Sequence, residues 1–546
     1  MTSSTMHVTR RKFMATSAAT LAATALPLAP ARAAAKYTRH NVTSPNGQKA
    51  LASYAKGVDA MLKLPADHPQ NWFRNAFIHL MDCPHGNWWF YVWHRGYLGF
   101  FEQTIRALSG DDSFALPYWD WTKLPQIPDS VFDGVLTPTA AAFEPYTGNL
   151  ALFTSFIKEP LTKYFNSLSP AQRAQLNTRG YKAFDNIWND VTGFDPDPNV
   201  QAGISGNMAY AITCGSRYLS RANPKLDPNT TYDVSLAVIL AGLAPTDYYN
   251  ANVVQSFTSS KTPSHNSPAG SFSVLEGLPH NNVHNCIGGV GPVDPGPYGN
   301  MTNFLSPVDP IFFLHHANMD RLWDVWTCKQ QGFKLPILPT GADLKTLSDE
   351  PFLFYVDGKG NHIGPNSKAG DYLSTDVFQY DYEPGSGEEV VPLPPTAAIA
   401  PPKALAQRVQ GRVRGNTATV ALPSAAVQAH LAATQPRPLV AAITLPRPGG
   451  RSTARAFDVL VNAPADAKDV GPGSPYFGGT VAFFGPTMPG MHMPMDTTFA
   501  VPLPKAPPAF PGLAAAPSTT LNIRVVPARG QPGPVPTLKA VAVGAS

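Results

Sequence analysis

Two rhythms of apolar residues divide the chain. Trp72, Phe73, Ala76, Phe77 and Leu80 recur at three- and four-residue intervals, which predicts a helix over residues 71–81. Residues 87–108 are apolar nearly all round, the mark of a buried helix. Pro279 opens a short predicted helix whose His280 and His284 stand four apart on one face. A fourth helix is predicted over 310–327, with His316 and Asp320 likewise one turn apart. Residues 122–270 are strewn with Gly, Pro and Asn and read as a long loop-rich insertion. After about residue 404 the rhythm changes. Short β-branched runs at 440–445, 457–461, 479–484 and 521–526 are separated by Pro and Gly, which predicts antiparallel strands.

The fold class expected is therefore multidomain. A mainly α catalytic domain over 36–345, built on a central four-helix bundle, precedes an antiparallel β domain over 404–546. A small connecting segment spans 346–403 and ends in the proline-rich linker PLPPTAAIAPP. At 546 residues the chain exceeds what one core holds. Residues 1–35 read as a targeting segment. Arg10-Arg11-Lys12-Phe13-Met14 is a twin-arginine core, an Ala/Leu-rich stretch follows, and Ala31-Arg32-Ala33 is a cleavage site. Export of a folded, cofactor-loaded protein to a periplasm or the exterior is the expectation. No other stretch is long and apolar enough for a bilayer, so no membrane association is expected after processing. Charged residues make up 14% and the net charge is +4, with no basic stripe, which argues against nucleic acid as a partner. Four cysteines are too few for a disulfide framework in a chain of this size.

Histidine changes the picture most. Of 14 in the chain, seven fall in two short windows. His79, His85 and His94 lie in NAFIHLMDCPHGNWWFYVWHRGYLGFFE; His280, His284 and the pair His315-His316 lie in EGLPHNNVHNCIGG and SPVDPIFFLHHANMDRLW. Imidazole suits both oxidation states of copper, and helices projecting His inward are how a bundle holds metal. Three neutral imidazoles hold one copper, and two such trios side by side hold a pair that can share dioxygen. The zinc-protease reading of H-x-x-x-H fails because Asn281 stands where Glu is required.

These segments resemble the type 3 copper family of tyrosinases, polyphenol (catechol) oxidases and molluscan haemocyanins. His85-Gly-Asn-Trp-Trp-Phe-Tyr-Val-Trp-His94-Arg95 with Phe101-Glu102 is similar to the family's first copper segment. Pro279-His280-Asn281-x-Val283-His284 and Asp309-Pro310-Ile311-Phe312-Phe313-Leu314-His315-His316 with Asp320-Arg321-Leu322-Trp323 are similar to the second. The resemblance implies two copper ions, one on His79, His85 and His94 and one on His280, His284 and His316, with His315 outside the ligand set. It implies a Cys83–His85 thioether, an aromatic gate at Phe304 over the second copper, and a Glu276–Asn281 pair holding a water that takes a phenol's proton. Asp320 is expected to orient a ligand imidazole. Phe457–Asn462, Tyr476–Thr480 and the Tyr380-Asp381-Tyr382 motif look like the capping β domain and domain closure of plant enzymes, which implies latency until the linker is cut. Met488, Met491, His492, Met493 and Met495 form a soft cluster suited to Cu(I), read either as copper delivery or as a hydrophobic plug.

The function expected is a tyrosinase that hydroxylates monophenols and oxidises o-diphenols to o-quinones. Its partners would be small phenols and O2, with a copper chaperone or an activating protease. A catechol oxidase without hydroxylation and a haemocyanin-like oxygen carrier are the rival readings.

Overall fold

The computed structural model describes residues 35–546 except 148–149, 193–216, 269, 290–298, 393–407, 433–437, 448–454, 466, 468–469, 485–495, 512, 514–515 and 529–532. The targeting segment, most of the linker and the Met488–Met495 cluster lie outside the described residues.

Four helices carry or flank the histidines, with His85 in the segment between the first two and His280 in the π turn before the third. α1 (Trp72–Asp82) starts where the Asn71 side chain accepts the backbone N–H groups of Phe73 and Arg74. α2 (Phe90–Ser109) stops at Gly110 in the left-handed region, φ 71°. α3 (Asn281–Gly288) continues from a single π turn over Glu276–His280. α4 (Ile311–Gly332) is the longest of the four and is buried over most of its length.

The π turn corrects one expectation. Pro279 lies inside a helical segment rather than opening it. A proline ring clashes with the carbonyl four residues back and offers no N–H, and widening the turn to i→i+5 accommodates it. A second correction concerns residues 122–270, which are not mainly loop. Helices occupy Leu150–Ser167, Pro170–Thr178, Phe184–Thr192, Pro228–Asp233 and Leu236–Leu243. The Pro and polar residues there serve as helix starts: Ser169 and Gln172 form a capping box before Pro170, and Asp227 caps the helix opened by Pro228.

Strands β1 (Tyr37–Arg39) and β3 (Tyr380–Tyr382) pair in parallel and close the helical region at its ends in the sequence. They bring Arg39, Tyr380 and Tyr382 onto Asp320, which also accepts a hydrogen bond from Arg95 at 2.7 Å. Asp320 thus anchors this closure and contacts no histidine through these bonds. The expectation that it orients a ligand ring fails because two arginines and two tyrosines already occupy its oxygens.

The C-terminal region forms two five-stranded sheets. One runs β2-β10-β7-β12-β4: Ser271–Phe272, Asp496–Pro502, Leu439–Pro446, Ala540–Ala545 and Val409–Gln410. The other runs β5-β6-β11-β8-β9: Arg412–Arg414, Thr417–Pro423, Ser518–Pro527, Ala456–Val461 and Phe477–Ala482. Pairing is antiparallel except at one edge, where β2, from the segment just before the π turn, adds in parallel to β10. Phe272 stacks on Phe499 at 5.3 Å there. The core beneath the sheets also contains Val238, Val253, Phe272 and Leu278, so apolar packing joins sheet and helices.

Candidate metal centre

The structure brings both histidine trios together. Ring centroids of His79, His85 and His94 form a nearly equilateral triangle with sides of 5.4, 5.5 and 5.5 Å. Those of His280, His284 and His316 lie 4.6, 5.0 and 5.2 Å apart. The trios adjoin: His85 is 5.5 Å from His280, and His94 stacks on His316 at 4.2 Å with planes 8° apart.

Hydrogen bonding fixes which nitrogen four of the six rings turn inward. The Nδ1–H of His79 donates to the Phe304 carbonyl, that of His94 to Phe90 and that of His284 to Met301, each at 2.7 Å. His280 Nδ1 donates to Asn281 Oδ1 at 2.9 Å. A carbonyl only accepts, so these rings carry their proton on Nδ1 and present an Nε2 lone pair. His79 Nε2 then faces His94 Nε2 at 3.5 Å, and His284 Nε2 faces His316 Nε2 at 3.0 Å. Buried His85 Nε2 and His280 Nε2 have no partner. The lone pairs of His79 and His94 that face each other away from water are unfavourable without a cation between them. Burial pulls every one of these imidazoles down, His79 and His280 to about 3, so all are neutral at physiological pH. Neutral imidazoles whose other ring nitrogen is tied to a carbonyl are the donor set copper takes.

His315 is the surprise. Its ring lies 4.7 Å from His284 and 5.4 Å from His280, tilted against Trp121 at 4.9 Å, with both nitrogens buried and unpartnered among the described residues. His280, His284, His315 and His316 form one group of mutually close ligand atoms. Adjacent helix positions point about 100° apart, yet both rings reach this cluster.

Cys83 Sγ lies 3.4 Å from His85 Nδ1 and accepts from Arg179 Nη2 at 3.4 Å. Burial pushes the Cys83 thiol up to about 12. Among the described residues Cys83, Cys286 and Cys328 form no disulfide. Glu276 is fully buried; its Oε1 accepts the Gly86 N–H and its Oε2 the Ser259 hydroxyl, both at 2.5 Å. Burial pushes its carboxyl up to about 8 against those two bonds. Asn281 bonds His280 through Oδ1 and donates through Nδ2 to the Ala482 carbonyl at 2.8 Å. Glu276 and Asn281 therefore engage different partners rather than each other.

Phe304 is placed differently from the expectation. Its ring lies 5.5 Å from His85 and 6.5 Å from His79, against the first trio rather than over the second. The ring over the second trio is Phe484, from just beyond β9, at 4.5 Å from His284 and 5.6 Å from His280. Phe484 also lies 4.9 Å from His85, so it wedges between the trios. Sequence reasoning missed it, because its distance along the chain gives no local signal. Phe90 and Phe312 were missed as well. Phe90 lies 4.6 Å from His94 and 4.8 Å from His280, and Phe312 4.2 Å from His316. Each stands one helical turn before a histidine, and that spacing was available to find them.

The C-terminal strand grips the second trio's helix. Asn281, Asn282 and Asn285 donate to the carbonyls of Ala482, Thr480 and Phe483 at 2.8, 2.6 and 3.3 Å. Buried Asp233 joins the same interface, accepting from Asn282 at 2.9 Å and from the Thr480 N–H at 3.2 Å.

Residues 64–329 match the tyrosinase family, described as the common central domain of tyrosinase. Over residues 64–329 the chain belongs to the type 3 copper family. This family member is 26% identical to polyphenol oxidase II, chloroplastic, of Ipomoea batatas over 350 residues, covering 61% of this chain and 47% of that one. It is 25% identical to the chloroplastic polyphenol oxidase latent form of Prunus armeniaca over 362 residues, 62% and 47% of the two chains. The chain spans about half the length of these curated relatives. A solved latent aurone synthase (polyphenol oxidase) shares the fold with TM-score 0.53 at 19% identity, over 95% of this chain and 91% of that one. Copper is the metal expected of this type 3 copper protein. Among the described residues, no helix is long and apolar enough to cross a membrane.

Proposed function

We propose that the chain is a copper-dependent tyrosinase (polyphenol oxidase) that hydroxylates monophenols to o-diphenols and oxidises o-diphenols to o-quinones with O2. The observation that carries this reading is the convergence of six neutral imidazoles in two adjoining trios, with His94 stacked on His316 at 4.2 Å. His79, His85 and His94 would hold one copper, and His280, His284 and His316 the other. Bound copper supplies dioxygen binding and two-electron redox chemistry.

The protein's own residues do the rest. The four Nδ1–H bonds hold the rings of His79, His94, His280 and His284 in orientation and keep their Nε2 lone pairs free for metal. Phe90, Phe304 and Phe312 make an apolar surround that suits a phenol ring and excludes water. Glu276 takes the proton from the incoming phenol hydroxyl. Once ionised, a carboxylate raised to about 8 is a stronger base towards a phenol of pKa about 10 than an ordinary carboxylate. Asn281 keeps His280 in register. Phe484 and the asparagine bonds to Thr480, Ala482 and Phe483 support a covered, latent state, released by cleavage within the linker. The Cys83–His85 contact supports a thioether that pins one ring. The twin-arginine segment supports export.

One observation favours the catechol-oxidase alternative. The Asn281 amide is tied to the cap at Ala482, and both Glu276 oxygens already accept bonds from Gly86 and Ser259, which leaves less room for a phenol or water there. Oxygen uptake on tyrosine and on a catechol, before and after limited proteolysis, separates the readings. Uptake on both substrates after trimming is the expected result. Catechol uptake alone identifies a catechol oxidase, and uptake on neither rules out the oxidase assignment in favour of an oxygen carrier.

A further inference from the structure

Two serines outside the histidine motifs hold the segment that carries Glu276. Ser259, 2% exposed, gives its hydroxyl hydrogen to Glu276 Oε2 at 2.5 Å and accepts the Ser273 N–H at 3.0 Å. With its one proton committed to the carboxyl and a backbone N–H on its lone pair, the hydroxyl has a fixed direction. Ser260 grips the strand just after His85: its hydroxyl donates to the Gly86 carbonyl at 2.9 Å, and its own carbonyl accepts the Trp88 N–H at 2.9 Å. Gly86 sits at φ +67°, a conformation that suits glycine, and this turns its N–H onto Glu276 Oε1. Downstream, Ser271–Phe272 is an edge strand paired to Thr498–Phe499. The carboxyl is thus held at one oxygen by the backbone after a first-trio histidine and at the other by Ser259.

We propose that Ser259 is a positioning residue that aims the Glu276 carboxyl for deprotonation of a monophenol. This rests on the hydroxylase reading above. Among the described residues no basic side chain bonds Glu276, and the serine hydroxyl is the one side-chain group that bonds its carboxyl. Without it the carboxyl keeps a single anchor at Gly86 and turns about that bond. Catechols are more acidic and bind through two oxygens, so they depend less on the aim of one base.

The test compares Ser259→Ala and Ser259→Thr in copper-loaded protein that is produced full length and then activated by limited proteolysis. Ser259→Ala is expected to lower kcat for monophenol hydroxylation about tenfold and kcat for catechol oxidation less than threefold, at unchanged copper content. Ser259→Thr, which keeps the hydroxyl, restores hydroxylation. A readout independent of activity comes from copper-free protein. The infrared carboxyl band that disappears in Glu276→Gln should shift in Ser259→Ala and return in Ser259→Thr. An unshifted band, an equal loss of both activities, or a loss of copper overturns the proposal. A wild-type enzyme that never hydroxylates tyrosine sinks the hydroxylase reading and this proposal with it. A hydroxylating wild type with an unaffected Ser259→Ala sinks this proposal alone.

Discussion

Replacing Phe484 with alanine should partly unlock the enzyme without proteolysis. Phe484 is 4% exposed and lies within 4.5–5.6 Å of His284, His85, Phe304 and His280. Its ring fills the space between the trios, which is where a phenol must go. Truncating a buried phenylalanine to alanine costs about 3–5 kcal/mol. Taking the lower figure, because part of this cost falls on the folded state as a whole, the docked arrangement loses ~3 kcal/mol relative to the undocked one. At about 1.4 kcal/mol per factor of ten, the undocked fraction rises ~100-fold. The three asparagine bonds and the β2–β10 pairing remain, so the cap stays attached and the variant stays intact. The assay is catechol oxidation by full-length protein, with chain length verified by mass spectrometry before and after. Phe484→Ala should be at least tenfold more active than the uncut wild type and should gain correspondingly less from trimming. If trimming activates the wild type strongly while uncut Phe484→Ala stays as silent as its parent, the ring is not what closes the site.

The remaining expectations are narrower. His316→Ala should lose about one copper per chain by metal analysis and His315→Ala should keep both; the reverse pattern would move the ligand one position back. His265, buried between Asp82 at 2.9 Å and Glu350 at 2.6 Å, is lowered by burial but raised more by these carboxylates, to about 9. A raised folded-state value above the unfolded ~6.5 gives stability that is whole below pH ~6.5 and lost as pH rises through about 9. Chemical denaturation of His265→Gln across that window should lack a fall on the order of 3 kcal/mol seen in the wild type. Copper-loaded, oxygen-exposed protein should yield a peptide joining Cys83 to His85 that is lighter by two hydrogen atoms; an alkylatable Cys83 thiol would refute the thioether.

The sequence by itself determined the four helices around the histidines and four of the C-terminal strands, because their apolar periodicity is local. Spacing picked out the His280–His284 pair, and the resemblance of the surrounding motifs to the type 3 copper family supplied the other four candidate ligands. Asn71 and Gly110 mark helix ends that any reader of caps can find. What lies far apart along the chain was decided only in three dimensions. Phe484 reaches the trios from 168 positions beyond His316, and Ser259 meets Glu276 through a turn whose course no periodicity encodes. Asp320 was misread for the same reason: its partners Arg39 and Tyr382 sit at opposite ends of the helical region. His315 and His316 differ by one helix position, and which one faces a metal depends on the rotation of α4 against its neighbours. Local periodicity sets which face of an element is apolar; packing between elements sets what that face meets.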